Sequence, residues 1–266
     1  MSAAGYNANN PEAYELFMGR WTRRLADAIV ARIQLPSGPR LDVGCGTGAM
    51  AAALRAHSSQ HHIVGVDVSE AYLEHARARA DNSGVEFHCM DAQEMGVDDD
   101  SFASSLSIIA LNFMAEPDIA VSEMVRATKP GGMVLGAVWD FRGGLMYQRL
   151  LWDSAALLDP RAAEMRDKLF SNPLALPNGL TTACTAAGLT DVVRHSVTIR
   201  MDFADFDDYW LPMLGGQGPV AGYVAALSGD MREQVETAVR AAYLSGDVDG
   251  PRSLTATAWV VQGTKP

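Results

Sequence analysis

Three glycines at alternate positions follow a carboxylate in the run RLDVGCGTGAM, residues 40–50: Asp42, then Gly44, Gly46 and Gly48. Residues without side chains let the main chain approach a ligand closely. A glycine turn that leads into a helix also presents backbone N–H groups at the positive end of that helix. Two ligands fit such a turn, a dinucleotide and S-adenosylmethionine. Taken literally, GCGTGA meets the dinucleotide pattern G-x-G-x-x-G/A with Ala49 in the last place, and Asp67 follows at the distance of a ribose-binding carboxylate. Asp42 argues for the other ligand. Its carboxylate would repel a pyrophosphate, whereas a molecule bearing an ammonium and a sulfonium would be attracted.

These residues need elements to hold them. A short strand at 40–43 feeds the turn, and a helix leaves it from Ala49 to about His57. The strand HIVGVDVS precedes the helix EAYLEHARARA, with Ser69 at its cap. VEFHCMD is a third strand, and AQEMGVDDDS leads to a fourth, FASSLSIIAL. The helix DIAVSEMVRATK and the strand MVLGAVWD continue the alternation, which is the signature of a parallel sheet covered on both faces. Upstream, NNPEAYELFMGRWTRRLADAIVARI places Asn10 at an N-cap, Pro11 at the first helical position and Leu25, Ile29 and Ile33 on one apolar face. Beyond Asp140 the rhythm changes to helical segments and two more strands, DVVRHSVTIRM and TATAWVVQG. Segments inserted between late strands of an open sheet are placed to cover its ligand-bearing edge. The expected fold class is α/β: a Rossmann-like, doubly wound, mostly parallel seven-stranded sheet with helical inserts over the C-terminal edge of its strands.

Composition narrows the function. The 266 residues are 48% apolar, enough for a buried core, and 21 basic against 32 acidic residues give a net charge of -11. That charge disfavours a nucleic-acid partner, because the arginines are scattered among carboxylates and form no basic face. The start, MSAAGYNANNPEAYEL, lacks the pattern of an export signal, and no apolar run is long enough to span a membrane, so the expected location is cytoplasmic. Cys45, Cys89 and Cys184 are too few and too far apart for a disulfide framework or a thiolate zinc site. His57, His61 and His62 fall in a solvated loop and Asp98–Asp100 in a charged turn, so no metal is expected. Nothing in the chain signals its oligomeric state.

With GVDVS at 65–69, MDAQEM at 90–95 and KPGG at 129–132, the run LDVGCGTG resembles the class I S-adenosylmethionine-dependent methyltransferases, in particular the small-molecule branch labelled type 11, which includes quinone and sterol methyltransferases. The resemblance covers about residues 38–140. It implies S-adenosylmethionine as cofactor and S-adenosylhomocysteine as product. Gly44, Cys45, Gly46 and Gly48 would pass beneath the methionine portion, and Asp42 would help hold its amino group. Asp67 would accept from the ribose hydroxyls and Val68 would pack on the adenine. Asp91 would take the exocyclic amine with the Ala92 amide at a ring nitrogen, and Ser107 and Ile108 would line the methionine end. YELFMGRWTRRLA resembles the lid helix of this branch, which nominates Tyr14 and Arg20 for the cofactor carboxylate.

The layout that follows is one methyltransferase domain over 1–266. It comprises a lid helix (1–37), a cofactor-binding core (38–140), substrate-covering inserts (141–177 and 202–250) and the remaining core (178–201 and 251–266). The chain departs from the family where Phe102 is followed by Ala103 in place of Asp, and where Leu111, Asn112 and Phe113 stand in place of Leu-His-His. Asn112, Phe113, Trp139, Asp140, Tyr147 and Trp210 are the candidate acceptor-binding residues, and no catalytic residue is singled out. Their aromatic character favours a small apolar or aromatic acceptor in a closed pocket. Three other readings remain at this stage: an NAD-dependent oxidoreductase, a nucleic-acid or protein methyltransferase, and a protein of this fold that binds the cofactor without transferring a methyl, as a cyclase or binding partner.

Overall fold

A computed structural model describes residues 9–215 and 218–266; the start of the chain read above, 1–8, and residues 216–217 of the second insert lie outside them. The elements in order are α1 (Pro11–Tyr14), a π turn (Glu15–Gly19), α2 (Arg20–Val30), β1 (Arg40–Val43), α3 (Ala49–His57), β2 (Ile63–Asp67), α4 (Glu70–Ala78), β3 (Glu86–Cys89), β4 (Phe102–Ile108), α5 (Pro117–Ala127) and β5 (Thr128–Trp139). The later part contains α6 (Met146–Ala155), α7 (Pro160–Phe170), α8 (Gly179–Ala186), β6 (Thr190–Phe203), α9 (Phe206–Trp210), α10 (Gly218–Ala225), α11 (Gly229–Leu244) and β7 (Arg252–Thr264). One seven-stranded sheet runs in the order β3-β2-β1-β4-β5-β7-β6. The first five strands pair in parallel, and β7 lies antiparallel to both β5 and β6. The chain reverses direction across the sheet at β1, between β2 and β4, which is where open α/β sheets bind ligands.

The apolar pattern explains the two-faced burial. Along β5, Val134 and Val138 join one core with α5 and α8, while Leu135, Ala137 and Trp139 join the other with α2, α3 and α6. Alternate residues thus enter opposite layers, as the pleat requires. β1 is buried along its whole length, as expected of a central parallel strand.

Local signals account for the helix starts. Asn10 caps α1 by accepting from the Ala13 N–H at 2.9 Å, and Ser69 caps α4 by accepting from Tyr72 N–H at 3.2 Å. The N-terminal helix differs from the uninterrupted helix that its pattern predicts. Five residues, Glu15–Gly19, widen into a π turn, a device that re-aims side chains and is common at functional sites. Around it Tyr14, Phe17, Met18 and Thr22 all reach one cavity.

Candidate active site

That cavity, of about 450 Å³, opens at the C-terminal ends of the parallel strands, and its size is ordinary for a small-molecule site. Its floor is the glycine turn. Gly44, Gly46 and Gly48 all have positive φ, at +68°, +54° and +83°, a region that costs other residues strain. A Cβ on Gly44 would lie 2.5 Å from the Ala110 Cβ, so the turn also passes tightly against the segment after β4.

Asp67, which ends β2, is fixed from two sides. Its Oδ2 accepts from the Gly46 N–H and its Oδ1 from the Ser69 N–H, both at 2.9 Å. Burial pushes its carboxyl above the usual range, and those backbone donors hold the shift down. Asp91 stands beyond β3 on the same wall, its Oδ1 accepting from the Gln93 N–H at 2.9 Å, with Ala92 and the exposed Val68 beside it. Among the described residues of the wall, Asp67 and Asp91 are the only charged side chains.

Asp42 sits beneath the turn and off the cavity wall. Fully buried, it accepts from the Ala51 N–H at 3.0 Å through Oδ2, and its Oδ1 has no partner. Burial raises its carboxyl to about 7; the Ala51 N–H opposes that shift and the nearby Asp67 charge adds to it. The same surroundings push the Cys45 thiol well above its ordinary value, chiefly by burial, so Cys45 stays protonated and is no nucleophile. Tyr14 shares a hydrogen bond of 3.1 Å with the Thr22 hydroxyl, and burial raises its phenol to about 12. It therefore remains a neutral phenol near pH 7.

The structure brings together Tyr14, Gly44, Cys45, Gly46, Asp67, Val68, Asp91, Ala92, Ile108, Phe113 and Trp139 on one wall. Gly48 and Ser107 stand behind it. Arg20 is engaged elsewhere: it pairs with Asp208 at 2.8 Å and lies over the Trp21 ring, which ties α2 to α9, and no arginine stands among the described residues of the wall. Tyr147 and Trp210 are core residues, stacked on Phe203 and Phe206 respectively. Asn112 is buried off the wall and its carbonyl accepts from Asn172. Asp140 caps a turn through the Gly143 N–H and lines a smaller neighbouring cavity of about 190 Å³.

Sequence reasoning missed Phe17, Met18, Met50, Phe141 and Gln148, which also line the main cavity. Phe17 and Met18 share a helical face with Tyr14, a spacing that could have exposed them; Gln148 carries no sequence signal at all. Among the described residues there is no cluster of His, Cys, Asp and Glu able to hold a metal, and no helix long and apolar enough to cross a membrane.

With this geometry in place, comparison with known proteins is decisive. Residues 41–136 match a family described as a methyltransferase domain, in its type 11 form. Over 170 residues the chain is 32% identical to a demethylmenaquinone methyltransferase of Clavibacter sepedonicus, covering 59% of this chain and 68% of that protein. The chain belongs to the class I S-adenosylmethionine-dependent methyltransferases, type 11 branch. The same fold recurs in phosphoethanolamine N-methyltransferase 2 of Haemonchus contortus, solved with S-adenosylhomocysteine, at a TM-score of 0.58 and 18% identity over 96% of this chain and 57% of that one. The 4+2 cyclase SpnF matches at 0.54 and 23% identity, over 98% of this chain and 87% of its own. Within this methyltransferase, the turn of β1, the acid ending β2 and the acid after β3 have the chemistry to hold S-adenosylmethionine. The backbone of the glycine turn lines the wall without side chains, and the charged side chains among the described wall residues are anionic, so the residues present fit a cationic cofactor and oppose a diphosphate.

Proposed function

We propose that this methyltransferase transfers the methyl group of S-adenosylmethionine to a small, uncharged, apolar or aromatic organic acceptor. The observation that carries the reading is the wall itself: two carboxylates at the β2 and β3 ends, no described cation, and aromatic and thioether side chains elsewhere. In that role Asp67 accepts from the ribose, Asp91 and Ala92 address the adenine edge, and Val68 covers its face. Tyr14, expected together with Arg20 at the cofactor carboxylate, would take that place alone. When bound, the cofactor supplies a methyl on a cationic sulfur that departs as a neutral thioether, so no acid is needed. The chain then contributes chiefly by aligning the acceptor and excluding water. The layout of a lid (1–37), a core (38–140, 178–201 and 251–266) and acceptor-covering inserts (141–177 and 202–250) belongs to the same proposal. The relative named for demethylmenaquinone methylation supports an organic acceptor of this class. A second reading, cofactor binding without turnover, is favoured by the shared fold of a cyclase.

Calorimetric titration with S-adenosylmethionine and with NAD tests the cofactor, and Asp67→Asn should weaken the first by about 1–3 kcal/mol through lost charge-assisted hydrogen bonds. Binding of NAD alone would overturn the reading. Incubation with methyl-labelled cofactor and an organic extract of cells then tests turnover; cofactor uptake with no labelled product from any fraction would favour the second reading.

A further inference from the structure

The wall is chemically divided, and the sheet order sets the scale of the division. β2, which carries Asp67, lies three strands from β5, which ends in Trp139. At about 4.8 Å per strand the two ends are ~14 Å apart. The β5 end is assembled from Phe17 and Met18 of the lid, Phe113 after β4, Trp139 and Phe141. Phe113 and Phe141 meet edge to face with centroids 6.5 Å apart. No charged side chain stands among them.

Among the described residues, one polar side chain on this wall stands without a partner. Gln148, on α6, is 9% exposed and lines the cavity, and its carboxamide has no hydrogen bond among the described residues. The other polar groups nearby are engaged. Tyr14 and Thr22 bond to each other, and Thr22 also bonds the Met18 carbonyl. The Trp139 indole N–H lacks a partner, but the atom itself is buried away from the cavity. An amide held on a cavity wall with no protein partner is free to donate to and accept from a ligand.

We propose that Gln148 is the specificity-determining residue of the acceptor chamber: it hydrogen-bonds a neutral oxygen, hydroxyl or carbonyl, on an uncharged aromatic acceptor. The inference rests on the methyl-transfer reading above for the place of the cofactor. Its amide N–H donates to a carbonyl, and its amide oxygen accepts from a hydroxyl, so either oxygen is recognised. An anionic acceptor would meet no cation here and would lose its hydration uncompensated.

Three probes of one shape separate the contributions: 1-naphthol, 1-methylnaphthalene and 1-naphthoate, each titrated calorimetrically into protein saturated with S-adenosylhomocysteine. The wild type should bind naphthol at least tenfold more tightly than either of the others. Gln148→Leu should bring naphthol to the level of methylnaphthalene, a loss of about tenfold, with methylnaphthalene and S-adenosylhomocysteine unchanged. If Gln148→Leu fails to bind S-adenosylhomocysteine, Gln148→Met replaces it in the same comparison. An unchanged naphthol preference in the variant overturns the role of Gln148, and naphthoate bound as tightly as naphthol overturns the charge-free chamber. Uptake of S-adenosylhomocysteine with no naphthalene bound overturns both. Failure of S-adenosylhomocysteine itself to bind the wild type would instead sink the cofactor reading.

Discussion

The two ends of the cavity are built by different means. At the β2 end, proposed for the cofactor, the main chain does the shaping: one continuous turn, residues 44–48, with positive φ at its three glycines and a carboxylate locked by two backbone N–H groups. At the β5 end, proposed for the acceptor, side chains do it, and they arrive from the N-terminal π turn, the segment after β4, the end of β5 and α6. A main-chain site is specified by a few neighbouring residues and tolerates little change. A side-chain site is specified by tertiary packing and can be refitted to a new acceptor while the rest of the fold stays the same.

The largest test of this contrast concerns the charge hidden under the turn. Asp42 has an ordinary value of 3.8 and is held at about 7 in the folded protein. An acid whose folded value is raised gives most stability while it is protonated, below the unfolded value, and loses it as pH rises through the folded value. Between pH 3.8 and about 7 the wild type should therefore lose roughly 1.4 kcal/mol per pH unit from this group, up to about 4 kcal/mol in all. Asp42→Asn removes the titration and can keep the acceptor for the Ala51 N–H. Urea unfolding at stepped pH should show the stability of wild type falling relative to Asp42→Asn across that window, and parallel curves would mean that Asp42 is not desolvated. A matching effect is not expected at the β5 end, where no described residue of the wall is charged.

Gly48→Ala comes next. At φ +83° a new Cβ would be strained, and it would stand 2.2 Å from Asn82 Nδ2, a buried amide that donates to the Ala76 carbonyl. The expected cost is about 2–3 kcal/mol in unfolding free energy, with the strain lodged beside the cofactor site. A cost below about 0.5 kcal/mol, the scale of ordinary surface substitutions, would show that the turn relaxes and that the main-chain end is less constrained than its geometry implies.

What was legible in the sequence follows the same division. RLDVGCGTGAM, GVDVS and MDAQEM are local runs, so strands, turn and carboxylates were found together, and the strand–helix alternation gave the parallel half of the sheet. Residue type points Tyr147 and Trp210 to the site and the lid-helix resemblance points Arg20 there, yet each finds a partner elsewhere: Phe203, Phe206 and Asp208. Aromatic rings serve a core and a pocket equally well, and only the fold decides which. Gln148 could not be found because its meaning is an absence, the lack of a partner, and that exists only after packing. The π turn was hidden for a related reason: Glu15 is held by Arg23 and, at 2.5 Å, by the Thr47 hydroxyl of the glycine turn, contacts that no helical periodicity encodes.

The smallest expected effect bears on where the lid acts. Arg20 and Asp208 form an ion pair that is about one-third exposed on each side, at 32% and 30%, and such pairs contribute about 0–1 kcal/mol. The Arg20 guanidinium also covers the Trp21 ring at 4.3 Å, so some packing is lost with it. Arg20→Ala should therefore lower stability by no more than about 1 kcal/mol and leave S-adenosylmethionine affinity within about twofold, because the side chain is off the cavity wall. Tyr14→Phe is the companion variant: it removes the hydroxyl of a residue on the wall and should weaken the cofactor more than Arg20→Ala does. If calorimetry ranks them the other way, with a tenfold loss for Arg20→Ala, the arginine must leave Asp208 to meet the cofactor carboxylate. The lid would then belong with the cofactor end, where the sequence placed it, and the contrast between the two ends would narrow to the β5 side alone.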